Sequence, residues 1–502
     1  MRKTTIKSGY FATLAAIIMM FFLNSLTVFG KGYQIKVKIN GVKDTTLILA
    51  HYFGKSIYPD DTIKVNKSGE GVFKGTDLLP GGMYVIFLPS QSYFDFFIDE
   101  DQEFTIYNDT ADFLKNFVVE GCVINEQFIV YQKYIQEKRE EREKLEANRD
   151  TSDKKNMEAV DEKVEALTKD VEDYTKKIIE TNKANFLGIF LNSLQRLNVP
   201  DPPKDEQGNI IDSLFQYYYY RNHFFDNFDY TDSRLLRTPL YENKIKNYID
   251  AVIPQFPDSI NVELAKMLDK SKKDKEVYRY LLVTLFNHYA QSKIMGMDAV
   301  YIFLGENYYL KDAYWSDSTF LKKLNTNIEE NKPTLIGKIA PDIELIWVPD
   351  DIFKQSATDT AMLNNVHVGY RTFLHQIQAE YIILIFWEKD CGHCRKTVPE
   401  LYKLYQDKQL EGKGVKIVSF HMLFGKEGKV KWTEFINENK LYGWLNVWNP
   451  YSYRFKELYN IKSTPVILVL DKDKKIVAKR IGADQAIDII ESMIKRDLNK
   501  KK

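Results

Sequence analysis

The sequence predicts a multi-domain protein: an N-terminal all-β sandwich or barrel, a central α-helical region and a C-terminal α/β domain. Three observations predict it. The chain has 502 residues, enough for about three domains at roughly 150 residues each. Its hydrophobic pattern changes twice, from alternation, to helical spacing, to continuous apolar runs between amphipathic stretches. Hydrophobic content is 44%, which supports cores along most of the chain and excludes a wholly disordered one. Lysine plus arginine and aspartate plus glutamate both number 70, so the basic footprint of a general nucleic-acid binder is missing and no such partner is expected. Only three cysteines occur, which excludes a disulfide-stapled scaffold.

Residues 1–30 read as an export signal. Arg2, Lys3 and Lys7 precede an apolar stretch from Tyr10 to Leu23, and Val28-Phe29-Gly30 precedes a cut before Lys31. An uncleaved N-terminal anchor is the rival reading, but Asn24, Ser25 and Thr27 interrupt the stretch. Either way the rest of the chain is expected in the periplasm or cell envelope. No cysteine lies near the cut, so no lipid anchor is expected.

Residues 31–122 carry the all-β pattern. Tyr33–Ile39, Thr46–Tyr52 and Met83–Leu88 are strand-like, and Asn40-Gly41, Ser68-Gly69 and Pro80-Gly81-Gly82 supply turns. Residues 123–200 switch to helix. Met157, Val160, Val164, Leu167, Val171, Tyr174 and Ile178 recur at alternating steps of three and four, an a/d seam. The seam fits a helical hairpin within one chain; a homodimer through 157–178 is the sharper alternative. Residues 201–332 are helical and rich in aromatics. Tyr217-Tyr218-Tyr219-Tyr220, Phe224-Phe225 and Tyr308-Tyr309 are expected to pack between helices, with a stacking platform as the alternative. Residues 333–502 alternate strand and helix. Tyr381–Trp387 is apolar throughout, as in a strand buried on both faces. Val415–Phe420 and Val466–Leu470 are further strands, and helices are expected from Cys394, Lys429 and Gln485.

The chemistry concentrates at Cys391-Gly392-His393-Cys394, after the buried strand and at the start of a helix. A Cys-x-x-Cys pair in that setting is a thioredoxin-like redox site. The helix N-terminus favours the thiolate of the first cysteine, so Cys391 is the expected nucleophile and the better shielded Cys394 the resolving thiol. A protonated His393 would favour the Cys391 thiolate further. A zinc site would need two more ligands, and the remaining histidines are scattered; haem attachment would need a histidine where Arg395 stands. No metal and no cofactor beyond a redox-active Cys391–Cys394 disulfide is expected. Thr464-Pro465 opens the strand from Val466; a cis bond there would make a tight turn, and the backbone before it would dock a substrate chain by strand addition. Cys122 reads as a buried packing thiol.

The run Phe386-Trp387-Glu388-Lys389-Asp390-Cys391-Gly392-His393-Cys394, with Pro399 in the following helix and Thr464-Pro465 beyond, resembles the TlpA/ResA-like thiol–disulfide oxidoreductases. Ile336–Leu345 is similar to their opening segment. The resemblance implies a thioredoxin-like fold, catalysis by Cys391 and Cys394, support from Gly392, His393, Trp387 and Glu388, and substrate docking at Thr464 and Pro465. Upstream, Arg237-Thr238-Pro239 and Ser292–Asp298 resemble the uncharacterised helical domain of multi-domain envelope members. Three departures stand out. Ile385 occupies the place of thioredoxin's buried aspartate, and Glu388 is the substitute at hand. Asp390 puts a negative charge beside Cys391, which opposes its ionisation. Gly-His between the cysteines is the dipeptide of protein disulfide isomerases.

The expected function is therefore an envelope thiol–disulfide oxidoreductase that reduces disulfides of substrate proteins, with a membrane electron donor as a further partner. An envelope scaffold with a redox-sensing or vestigial domain, and a disulfide oxidase or isomerase, are the alternatives.

Overall fold

The computed structural model describes residues 32–357 and 369–500. The N-terminal segment read as an export signal or anchor lies outside them. Among the described residues no helix is long and apolar enough to cross a membrane. The chain forms two compact units, one reaching Ile253 and including Lys270–Tyr278, the other comprising Pro254–Asp269 and Arg279 onward. The central helical region thus contributes to both.

In the first unit, eight strands form two four-stranded sheets. β1 (Gln34–Asn40), β4 (Glu70–Lys74), β7 (Glu103–Asp109) and β8 (Val118–Glu120) make one, in the order β4-β1-β7-β8. β2 (Thr46–Phe53), β3 (Ser56–Lys64), β5 (Gly82–Phe87) and β6 (Tyr93–Ile98) make the other, in the order β3-β2-β5-β6. The alternation in β1 buries Ile35, Val37 and Ile39 and exposes the residues between them, as a half-buried strand should. Two long helices follow, Val123–Ala147 and Lys154–Thr181. The a/d seam faces the first helix of the same chain. Tyr174 stacks against Tyr131 and packs on Tyr134, and Lys138 pairs with Asp170 at 3.0 Å. Cys122 is fully buried ahead of the first helix, where Asn125 Nδ2 donates to its sulfur at 3.2 Å.

The aromatic run departs from expectation. The helix Phe215–His223 buries none of its residues, and Tyr218 is 46% exposed. Four consecutive helical residues point around the whole axis, so a short surface helix cannot bury them all. Phe224, Tyr308 and Tyr309 are buried as expected.

The second unit contains a seven-stranded sheet: β9 (Glu344–Trp347), β10 (Tyr370–Phe373), β11 (Tyr381–Trp387), β12 (Val415–His421), β13 (Leu445–Trp448), β14 (Val466–Asp471) and β15 (Ile476–Lys479). Their order is β10-β9-β13-β12-β11-β14-β15. β11 runs parallel to β12 and antiparallel to β14. Every residue of β11 is buried. Its odd-numbered members Tyr381, Ile383, Ile385 and Trp387 enter the core that also holds Cys394, Val398 and Leu401; Ile382, Leu384 and Phe386 enter the core of the opposite face. Two covered faces explain why the run carries no polar alternation. Each such side chain contributes about 2 kcal/mol by leaving water, which anchors the strand end where the cysteines begin.

Candidate active site

The site is assembled by register. Because β14 runs antiparallel to β11, with Phe386 opposite Val466, the start of β14 lies beside the end of β11. Thr464-Pro465, whose peptide bond is cis, is thereby set next to the loop that follows Trp387. That loop carries Cys391, and the helix Cys394–Asp407 starts directly after His393, with Pro399 inside it.

Both thiols are free. Cys391 is partly exposed and Cys394 fully buried. The Cys394 N–H donates to Cys391 Sγ at 3.3 Å, and the Cys391 thiol donates to the Thr464 carbonyl at 3.2 Å. Burial pushes the Cys391 thiol up, but hydrogen bonds from Cys394 and from the Thr464 side chain outweigh this and hold it below the ordinary thiol range. A donor aimed at a sulfur favours its anion. Cys394 goes the other way: burial, then its hydrogen bond with Cys391, push it up to about 12. The two thiols have nearly identical intrinsic chemistry and opposite environments.

The supporting residues divide. Glu388 receives a long hydrogen bond from Thr464 Oγ1 at 3.5 Å, which ties the loop before the cysteines to the loop before Pro465. Trp387 is fully buried; its Nε1–H donates to Ser419 Oγ at 2.8 Å. It forms the floor rather than the reacting surface. Gly392 is exposed, and a Cβ there would meet nothing nearer than Arg395 Nη2 at 3.9 Å, so local space does not demand glycine. His393 is exposed, and its ring takes no hydrogen bond or ion pair among the described residues. The preference for the Cys391 anion is carried by the hydrogen bonds at its sulfur. Asp390 pairs with Lys431 at 2.9 Å. A cation therefore meets the charge that the sequence places beside Cys391, and its opposition to ionisation is reduced.

Ile385 is fully buried on the Cys394 side of the sheet, so this face offers no carboxylate where thioredoxin has one. What the sequence reading missed is His421 at the end of β12. It stands opposite Trp387 in the parallel register and is 1% exposed. Its ring lies 4.9 Å from Trp387 and stacks on Trp432 at 5.6 Å. Neither ring nitrogen has a hydrogen-bond partner. Burial pushes it down to about 3, so it is a neutral group in an apolar cage. The signal available in the sequence was a histidine ending a largely apolar strand.

Three family models match the chain. Residues 378–476 match a thioredoxin-like family, residues 33–128 a domain of unknown function, DUF4369, and residues 156–330 a second, DUF5106. No curated protein matches. Among solved structures, a domain of a possible thiol-disulfide isomerase from Cytophaga hutchinsonii is 32% identical, with 34% of this chain and 99% of that one covered, at a TM-score of 0.27. The thioredoxin domain of a thiol-disulfide oxidoreductase from Bacteroides vulgatus is 25% identical, with 32% and 97% covered, at a TM-score of 0.25. A thioredoxin-like protein from Bacteroides caccae is 17% identical, with 59% and 99% covered, at a TM-score of 0.40. The C-terminal domain belongs to the thioredoxin-like family, in a multi-domain chain that also carries the two domains of unknown function.

Proposed function

We propose that this protein is a protein-disulfide reductase of the cell envelope. The observation that carries the reading is the asymmetry of the pair: Cys391 is reachable and held below the ordinary thiol range, while Cys394 is buried and pushed up to about 12. The Cys391 thiolate attacks one sulfur of a substrate disulfide. The substrate S–S bond breaks, and the departing sulfur takes a proton. Cys394 then loses its proton and attacks Cys391 Sγ, which releases the second substrate thiol and leaves a Cys391–Cys394 disulfide. Two electrons pass to the substrate, so each further cycle needs a dithiol reductant, for which a membrane electron donor is the fitting class. The position of the Thr464 carbonyl beside Cys391 supports docking of the substrate backbone there. Export rests on the N-terminal signal.

The test is a trap. Cys394→Ser should accumulate protein joined through Cys391 to its substrates, and Cys391→Ser should form none. Absence of adducts in folded Cys394→Ser protein removes the reading. Gly392-His393 favours the oxidase or isomerase alternative, and a redox titration decides the direction. A potential near or below about −250 mV fits a reductase, and one between about −120 and −180 mV fits the alternative.

A further inference from the structure

The motif Ser292–Asp298 finds no role in the exchange reaction itself, yet it lines a cleft that reaches the segment before Pro465. It forms one wall of a cleft of about 350 Å³ whose other wall is Arg480, Ile481 and Gln485. Both walls belong to the second unit. The cleft is tied to the site through the segment that precedes Pro465. Arg480 Nη2 donates to the Asn460 carbonyl at 3.2 Å, and Asn460 Nδ2 donates to Asn331 Oδ1 at 3.0 Å. Lys462 pairs with Glu330 at 2.8 Å. The Arg480 N–H also bonds the Ile467 carbonyl at 2.8 Å. Ile467 is three residues beyond Thr464, so at roughly 3.3 Å per residue the cleft begins about 10 Å from the carbonyl that receives the Cys391 thiol.

The chemistry of the walls is specific. The charged residues lining the cleft are Lys293, Lys479, Arg480 and Asp298. Lys479 is buried and pairs with Asp298 at 2.5 Å. Lys293 and Arg480 are exposed and have no carboxylate partner among the described residues. Ile294 and Met295 are 63% and 44% exposed on the same wall. Two uncompensated cations beside two exposed apolar side chains suit an extended chain that carries both an acidic and an apolar side chain.

We propose that this cleft docks the segment of the substrate protein that flanks its exchanged cysteine, and selects segments with an acidic side chain about three residues from that cysteine. The inference rests on the exchange reaction proposed above. The helical segment would then supply substrate selection to a redox domain that by itself reads only backbone and sulfur.

The test uses the full chain and three pyridyl disulfides: uncharged 2,2′-dipyridyl disulfide, and two peptides whose single cysteine carries a thiopyridyl group and has glutamate or lysine three residues to either side. Thiopyridone release reports attack by Cys391. The glutamate peptide should react about tenfold faster than the lysine peptide at low salt, with the gap closing as salt is added. Lys293→Glu should abolish or invert the preference, and Ile294→Ser should slow both peptides, with dipyridyl disulfide unaffected in each. Equal peptide rates in the wild type, or a preference untouched by Lys293→Glu, overturns the cleft. No reaction of Cys391 with dipyridyl disulfide overturns the exchange reaction instead. In that case anisotropy of labelled peptides with serine for cysteine still decides: tighter binding of the glutamate peptide upholds the cleft, and equal or absent binding ends it.

Discussion

Alkylation of the reduced protein reads the opposed environments of the cysteine pair directly. Cys394 is pushed up to about 12, while Cys391 lies below the ordinary thiol value of 9.0. The gap is therefore at least about 3 units, a thiolate ratio of roughly 1,000 near neutral pH. A less basic thiolate is also a weaker nucleophile, with a Brønsted slope of about 0.45, which returns roughly a factor of 20. The net expectation is that iodoacetamide labels Cys391 about 50-fold faster than Cys394, before burial of Cys394 widens the gap. Cys122 is an internal control, because burial raises its pKa too and it is fully enclosed. Limited labelling at neutral pH, followed by peptide mass analysis, should find the adduct on Cys391 alone. Comparable labelling of Cys391 and Cys394 in folded protein would refute the assignment of nucleophile and resolving thiol. So would a Cys391 rate that keeps rising well above pH 10, because a thiol below the ordinary value is by then almost wholly ionised.

Two predictions concern the frame around the site. His421 is neutral when folded, and its folded pKa of about 3 lies below the ordinary histidine value, about 6.5. On acidification the unfolded chain takes up this proton first, so the contribution is fully present above about pH 6.5 and falls away towards pH 3. Between about pH 7 and 5 the loss is roughly 2 kcal/mol, and His421→Leu should remove that part of the pH dependence in denaturant titrations; an unchanged slope would show that the ring is not held neutral. Asp298→Ala should cost about 2 kcal/mol, since it strands the buried Lys479 ammonium. Adding Lys479→Met should recover most of the loss, and failure of the double variant to recover would locate the cost elsewhere.

The sequence by itself determined the parts that depend on local pattern. The alternation in Gln34–Asn40 is read directly because one face is buried and the other wet. The uninterrupted apolar run Tyr381–Trp387 announces a strand covered on both faces. Cys-x-x-Cys at the start of a helix, with a Thr-Pro strand opening downstream, points to the chemistry proposed above, because the spacing and the helix end act within a few residues. The seven-stranded order, including the short strand Leu445–Trp448, was not legible, because pairing of residues as far apart as Trp347 and Val447 leaves no local trace. Nor was the exposure of Tyr217, Tyr218 and Tyr220, since composition says what could be buried and only the neighbouring elements decide what is.

Only the tertiary structure decided the electrostatics of the site and its surroundings. Sequence added His393 to the helix N-terminus as a support of the Cys391 thiolate and set Asp390 against it, whereas packing leaves His393 in solvent and matches Asp390 with Lys431, some forty residues away. It sets His421 against Trp387 through a parallel register that neither strand encodes alone. It also closes a cleft between Ser292–Met295 and Arg480–Gln485, segments nearly two hundred residues apart. Charges and buried rings act through space, and distances in space are fixed by the packing of elements that the sequence describes only one at a time.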